Sequence, residues 1–175
     1  IRGGDILLHH PYESFDPIIE LVEQAAADES VLAIKQILYR TAKNSRIIHA
    51  LMEAVKRGKQ VSAFVEIKAR FDEAANLEWG ERMEKAGIRV HYSFPGVKVH
   101  SKLALVRRVE DGQPRLYSYL ATGNFHEDTA KIYSDFGLFT ADPRLCGEVS
   151  TVFTFLENIK PPKDEFQHLL VGRFN

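Results

Sequence analysis

The eight residues Val31-Leu32-Ala33-Ile34-Lys35-Gln36-Ile37-Leu38 constrain this chain more than any other stretch. A near-continuous apolar run suits a strand covered on both faces; a strand with one wet face would alternate apolar with polar. The pattern then repeats. A polar turn from Thr41 to Ser45 leads into a helix carrying Ile47, Ile48, Leu51, Met52 and Val55, with Gly58 as its stop. A second apolar run, Val61 to Ile67, is followed by Asp72 as an N-cap, a helix to Ala86 and Gly87 as its stop. Ahead of the first run, Phe15, Ile18, Ile19, Val22 and Ala26 recur at helical spacing over 15–27, with Pro17 in the first turn, where its missing N–H costs nothing. Strands alternating with helices predict an α/β fold, a mostly parallel sheet flanked by helices.

The second half makes that sheet mixed. Ile88 to Tyr92 reads as a short strand, Pro95-Gly96 as a turn and Val97 to Arg108 as a longer strand. Glu110-Asp111-Gly112 forms a hairpin turn into a strand over Arg115 to Ala121. Ser134 to Thr140 is a further strand, and Asp142-Pro143 opens a last helix through Leu156. We expect one domain over 1–160. Pro161-Pro162 reads as a linker, with the tail to Asn175 too poor in apolar residues to be a domain of its own. The chain opens on Ile1, abruptly, and reads as a piece of a longer protein.

Composition excludes several classes of function. With 23 Lys and Arg against 24 Asp and Glu, the chain lacks the broad basic field of a nonspecific nucleic-acid binder, and no nucleic-acid partner is expected. No apolar run approaches the roughly 20 residues that cross a bilayer, so no transmembrane segment is expected. Cys146, the one cysteine, cannot form an internal disulfide and reads as a small core residue. There is no G-x-x-x-x-G-K-[ST], no G-x-G-x-x-G and no zinc spacing. His9 and His10 diverge if extended, as part of an ordered N-terminal segment. His49 reads as structural, His91 and His126 have no partner in sequence, and His168 lies in the tail.

Chemistry concentrates elsewhere. In a strand over Val97-Lys98-Val99-His100-Ser101-Lys102-Leu103, alternate residues share a face, so Lys98 and Lys102 flank His100 at about 7 Å. Such a field keeps imidazole neutral and nucleophilic and attracts phosphate. Alone, the heptapeptide is equally a solvated basic strand edge. Thr122-Gly123-Asn124 at a strand end offers backbone N–H groups and the Asn124 amide to a phosphoryl oxygen; alone it is a turn. Arg40 and Arg70 occupy equivalent places after the first and second apolar runs. At the carboxyl ends of strands they would clamp a polyanion, or else pair with surface carboxylates.

Taken together, these residues resemble bacterial polyphosphate kinase. The stretches that carry the resemblance are Asp5 to Tyr12, Gln36 to Arg40, Lys68 to Asp72, Val99 to Leu103, Thr122 to Phe125 and Thr129 to Asp135, in family order over nearly the whole chain. The tail Phe166 to Val171 resembles the entry to that family's next domain.

The resemblance implies the first of two phospholipase D-like C-terminal catalytic domains. His100 matches the histidine that becomes phosphorylated, with Lys102 stabilising phosphate charge. Arg40 and Arg70 match the Mg²⁺-phosphate site, where a guanidinium, having no lone pair, grips phosphate oxygens and does not ligate the ion. Tyr133 matches a residue of the ATP site; without the resemblance, a packed core tyrosine is the plainer reading. Implied partners are ATP or ADP, inorganic polyphosphate, the remaining domains of the same chain and further copies in a homo-oligomer. The implied location is cytoplasmic or peripheral at the inner membrane. The phospholipase D pattern places Asp after four further residues beyond His-x-Lys, where this chain has Arg107. That departure speaks against the rival reading of a phosphodiesterase or nuclease. A noncatalytic polyphosphate-binding module is the other rival, and as an isolated fragment the chain is expected to be inactive or weakly active.

Overall fold

The computed structural model describes residues 1, 3–40, 42, 44–66, 73–93, 98–163 and 165–172. In chain order the elements are β1 (Ile6–His10), α1 (Asp16–Ala27), β2 (Val31–Leu38), α2 (Arg46–Lys56), β3 (Gln60–Val65), α3 (Glu73–Lys85) and β4 (Arg89–Tyr92). There follow β5 (Lys102–Glu110), β6 (Gln113–Ala121), α4 (Glu127–Ala130), β7 (Asp135–Thr140) and α5 (Pro143–Asn158). Among the described residues they build one seven-stranded sheet ordered β1-β7-β6-β5-β2-β3-β4. The Asp72 cap, the end of the second run at Ile67 and the Pro95-Gly96 turn lie outside the described residues.

The α/β mixed sheet agrees with the sequence, but its pairing is less parallel than alternation implies. Parallel contacts are confined to β2–β3 and β3–β4. The β2–β5, β5–β6, β6–β7 and β1–β7 contacts are antiparallel, because the second half lacks helical crossovers between neighbouring strands. Asp111 and Gly112, both at positive φ (51° and 76°), make the tight two-residue connection of β5 to β6.

Period-two alternation divides each strand between two apolar layers. On one face Ile34, Leu38, Val61, Ala63, Val65, Ala104 and Val106 pack with Ile18, Ile19 and Val22 of α1, Ile47, Ile48 and Leu51 of α2, and Trp79 and Met83 of α3. On the other, Ile37, Phe64, Leu103 and Leu105 pack with Val149, Val152, Phe153 and Leu156 of α5. At roughly 1.5–3 kcal/mol per fully buried large apolar side chain, both layers are needed to offset chain entropy, which is why β2 is apolar but for Lys35 and Gln36. Ser45 caps α2, accepting the Ile48 N–H at 3.3 Å. Asp142 caps α5, accepting the Arg144 N–H at 2.8 Å. Beyond α5, Phe166 is buried in the same layer, and the Glu148 carboxylate accepts the backbone N–H groups of Gln167, His168 and Leu169.

The strand expected from Val97 begins instead at Lys102. Lys102 pairs with Ala121, the last residue of β6, and the β2–β5 register (Gln36 with Ala104) sets it level with Leu38, where β2 ends. Residues 98–101 have therefore outrun both neighbours, so Lys98, His100 and Lys102 do not share a strand face. α4 was not anticipated; His126 caps it, its ring nitrogen accepting from Thr129 N–H.

Gly137 lies under Tyr119, whose ring is wedged between Phe125 and Phe139. A methyl group there would meet Tyr119 ring carbons at 2.6 Å. Gly137→Ala should cost about 1–3 kcal/mol by overpacking and lower Tm by about 2–10 °C in a thermal melt; an unchanged Tm would show that the ring can yield.

Candidate functional site

One edge of the sheet collects the chemistry. Residues leaving β2 (Tyr39, Arg40), β3 (Glu66), β4 (Ser93) and β6 (Thr122-Gly123-Asn124) emerge there, and so do residues entering β5 (Val99 to Lys102) and β7 (Asp135). This is the carboxyl end of the parallel strands, where α/β sheets gather ligands.

His100 is exposed at this edge, its ring meeting that of Tyr39 in a T-shaped contact with centroids 4.9 Å apart. Lys102, 5% exposed, places Nζ 3.1 Å from His100 Nδ1 and 3.2 Å from Nε2, and donates to the His100 carbonyl. Lys98 and Lys102 Nζ stand 5.7 and 5.1 Å from the centre of the Tyr39 ring, so its π face offsets part of their repulsion. The expected crowding of His100 by two lysines is present, achieved by the irregular segment 98–101 ahead of β5. Partial burial of the ring lowers the His100 pKa most; Lys102 and Lys98 lower it further, and Glu66 opposes them. Burial likewise lowers the Lys102 pKa, Asp135 opposing and Lys98 adding to it. A neutral imidazole with an available lone pair beside cations can attack an anionic phosphorus.

Two residues that sequence reading missed hold this arrangement. Glu66 is 1% exposed; its carboxylate accepts the Val99 N–H at 2.8 Å and the Ser93 hydroxyl at 2.7 Å. Asn76 of α3 is equally buried and donates from its side-chain amide to the carbonyls of Tyr39 and Glu66, both at 2.9 Å. The available signal was a lone acidic residue directly after the buried run Val61 to Val65.

Of the residues expected from sequence, His100 and Lys102 are in contact. Arg40 is half-buried next to Tyr39. Asn124 lies just past β6, the strand beside β5, and its Oδ1 is buried without a hydrogen-bond partner among the described residues. Leaving such a group unpaired costs about 1–3 kcal/mol, and as an acceptor it calls for a donor, not for a phosphate oxygen. Thr122 donates to Asp135 at 2.8 Å and accepts the Phe136 N–H, closing this turn against β7. Tyr133 is 61% exposed, which overturns the packed-core alternative. Arg70 lies outside the described residues. Arg107 is exposed opposite Ala33, toward the other end of the sheet.

A cleft of about 460 Å³ opens beside His100, with Lys98 and Lys102 on one wall and Val152, Phe155, Leu156 and residues 169–172 on the other. No cluster of three His, Cys, Asp or Glu able to hold a metal occurs among the described residues. Arg40 has no lone pair to give, so among the described residues the donors at this edge fit a Mg²⁺ carried by phosphate better than one held by the protein alone.

The remaining histidines serve the fold. His9 stacks on Phe136 and His10 turns inward to the Glu13 carbonyl, diverging as expected. His49 pairs with Asn44, His91 stacks on Phe64, and His168 contacts Glu148. The Cys146 thiol is buried, with its pKa raised by that burial. No helix among the described residues is long and apolar enough to cross a membrane.

Comparison with known proteins converges on one group. The family described as polyphosphate kinase C-terminal domain 1 matches residues 1–162. A polyphosphate kinase of Vibrio vulnificus is 51% identical over 177 residues, covering 100% of this chain and 25% of that protein. That of Escherichia coli K12 is 47% identical over 175 residues, with the same coverage. This chain thus spans a quarter of the length of these relatives. The crystal structure of polyphosphate kinase from Porphyromonas gingivalis superposes with a TM-score of 0.87 at 46% identity, covering 100% of this chain and 29% of that one. Nuc from Salmonella typhimurium, a phospholipase D family member, has a TM-score of 0.67 at 19% identity over 88% of this chain and 93% of its own; it shares the fold.

The geometry sets the direction of a titration. His100 should titrate below the ordinary histidine value of about 6.5, and Lys102→Met, which removes the nearest cation, should raise its midpoint in an NMR pH titration. A midpoint unmoved by the substitution would show that Lys102 does not govern the ring.

Proposed function

The chain belongs to the polyphosphate kinase family, as its C-terminal domain 1, and from that premise we propose that it carries the phosphoryl-accepting histidine of an enzyme that reversibly moves the terminal phosphoryl group of ATP onto inorganic polyphosphate. The observation that carries this reading is an exposed imidazole, His100, held between Lys98 and Lys102 at the ligand-gathering edge of the sheet.

A His100 ring nitrogen attacks the γ-phosphorus in line. The P–N bond forms as the bond to the β–γ bridging oxygen breaks, and that oxygen leaves on ADP. A terminal oxygen of polyphosphate then attacks the same phosphorus and the imidazole departs. Each step reverses, so polyphosphate and ADP can regenerate ATP. Lys102 and Arg40 stabilise charge on the equatorial oxygens, where positioning and electrostatics supply most of the catalysis. Arg70 is assigned the same task by its family position, and donation from the Asn124 side-chain NH₂ to those oxygens belongs to the same proposal. Tyr133, exposed just ahead of β7, is assigned to the nucleotide. Mg²⁺ enters this reading as the counter-ion of the nucleotide's own phosphates, with no protein ligand assigned. The other domains complete the site, and assembly into a homo-oligomer and a cytoplasmic or membrane-peripheral location belong to the same proposal.

Position 107 disfavours a phosphodiesterase, since the side chain there is cationic and lies away from His100.

Incubating the full-length enzyme with γ-labelled ATP and Mg²⁺ should give acid-labile, base-stable label on the wild type and none on His100→Ala. Label retained by the variant would remove His100 from this role. Arg40→Ala and Arg70→Ala should weaken labelling while the fold persists by circular dichroism.

A further inference from the structure

We infer that Glu66 is the positioning residue for His100: its buried carboxylate anchors the segment that presents the imidazole, a task for which position 107 offers no acid. The inference rests on the role of His100 proposed above.

The segment 98–101 needs such an anchor. It lies beyond the ends of both neighbouring strands, and among the described residues no ladder hydrogen bond holds it. The Val99 N–H, next to His100, is held by Glu66 Oε2 at 2.8 Å. Oε1 takes the Ser93 hydroxyl at 2.7 Å, so one carboxylate ties the segment after β4 to the segment before β5. At 1% exposure this group would be costly to keep without such partners.

The backbone of Glu66 is fastened as well. Its N–H donates to the Leu38 carbonyl at 3.1 Å, and its carbonyl accepts from Asn76, whose amide also holds the Tyr39 carbonyl. The brace that holds Glu66 therefore also holds Tyr39, the ring against which His100 leans. Both supports of the imidazole trace to one buried acid and its partner amide. Among the described residues the groups acting on the charge of His100 are Lys98, Lys102 and Glu66, with Asp135 acting on Lys102, and of these Glu66 favours the imidazolium.

The test uses the full-length enzyme with Glu66→Ala and Glu66→Gln. Glutamine keeps both hydrogen bonds, because its oxygen can take the Val99 N–H while the Ser93 hydroxyl turns to accept from its amide; it removes only the charge. Glu66→Ala should lower kcat about a hundredfold, the scale of a misplacement of about 1 Å, with KM for ATP little changed. Glu66→Gln should restore most of kcat and move the acid limb of the kcat profile to lower pH, because the imidazole has lost its neighbouring anion. Wild-type kcat in Glu66→Ala would overturn the inference. So would a Glu66→Gln enzyme as damaged as Glu66→Ala with its acid limb unmoved. Should Glu66→Ala fail to fold, Glu66→Gln decides alone. An NMR titration of His100 separates this inference from the functional reading. A wild type that takes no label at His100 refutes the function, whereas an unmoved His100 midpoint in Glu66→Gln refutes the placement of Glu66.

Discussion

The antiparallel entry of β5 between β2 and β6 is the constraint on which everything else depends. It brings the start of one strand level with the ends of two others, and so sets Lys102 beside the exit of β2. Register decides the rest. Leu103 and Leu105 face α5 while Ala104 and Val106 face the other layer, so a slip of one residue would drive the Lys102 ammonium into the apolar layer under α5. The tight turn at Asp111-Gly112 fixes that register from the opposite end. Hydrophobic alternation far from the edge thereby places the His100 ring.

The edge itself is held under electrostatic tension. Lys102 is buried close to Lys98, and both press on an imidazole. Three features make this tolerable: the face of Tyr39, the nearby Asp135 and the more distant charge of Glu66. An arriving phosphate would relieve the tension further, and at low local dielectric that relief is larger than in water.

Much of this was legible in the amino-acid order, for reasons that differ by element. β2 was readable to the residue because a doubly covered strand is a near-continuous apolar run, and α2 because Ser45 and Gly58 bracket an amphipathic stripe. The hairpin was readable because Asp-Gly suits a turn with two positive φ angles. The start of β5 was not, since a strand ends where its neighbours end and no local pattern records where those lie. His100 and Lys102 were found through their spacing. Glu66 and Asn76 escaped because their work is done on backbone groups distant in sequence, and a single acid or amide carries no periodic signature. Tyr133 shows the converse: an aromatic beside apolar residues reads as core, yet the turn after α4 leaves it exposed.

Glu148 illustrates how unevenly such a fold will bear sequence drift. Its carboxylate fastens the segment after Pro162 through three main-chain N–H groups. Main-chain donors are the same whichever side chains they carry, proline excepted. Replacing the Gln167 side chain therefore leaves its tie to Glu148 intact, whereas His168 adds a ring contact at 3.0 Å and Leu169 an apolar one, and the wall of the cleft beside His100 inherits its persistence chiefly from that one acid.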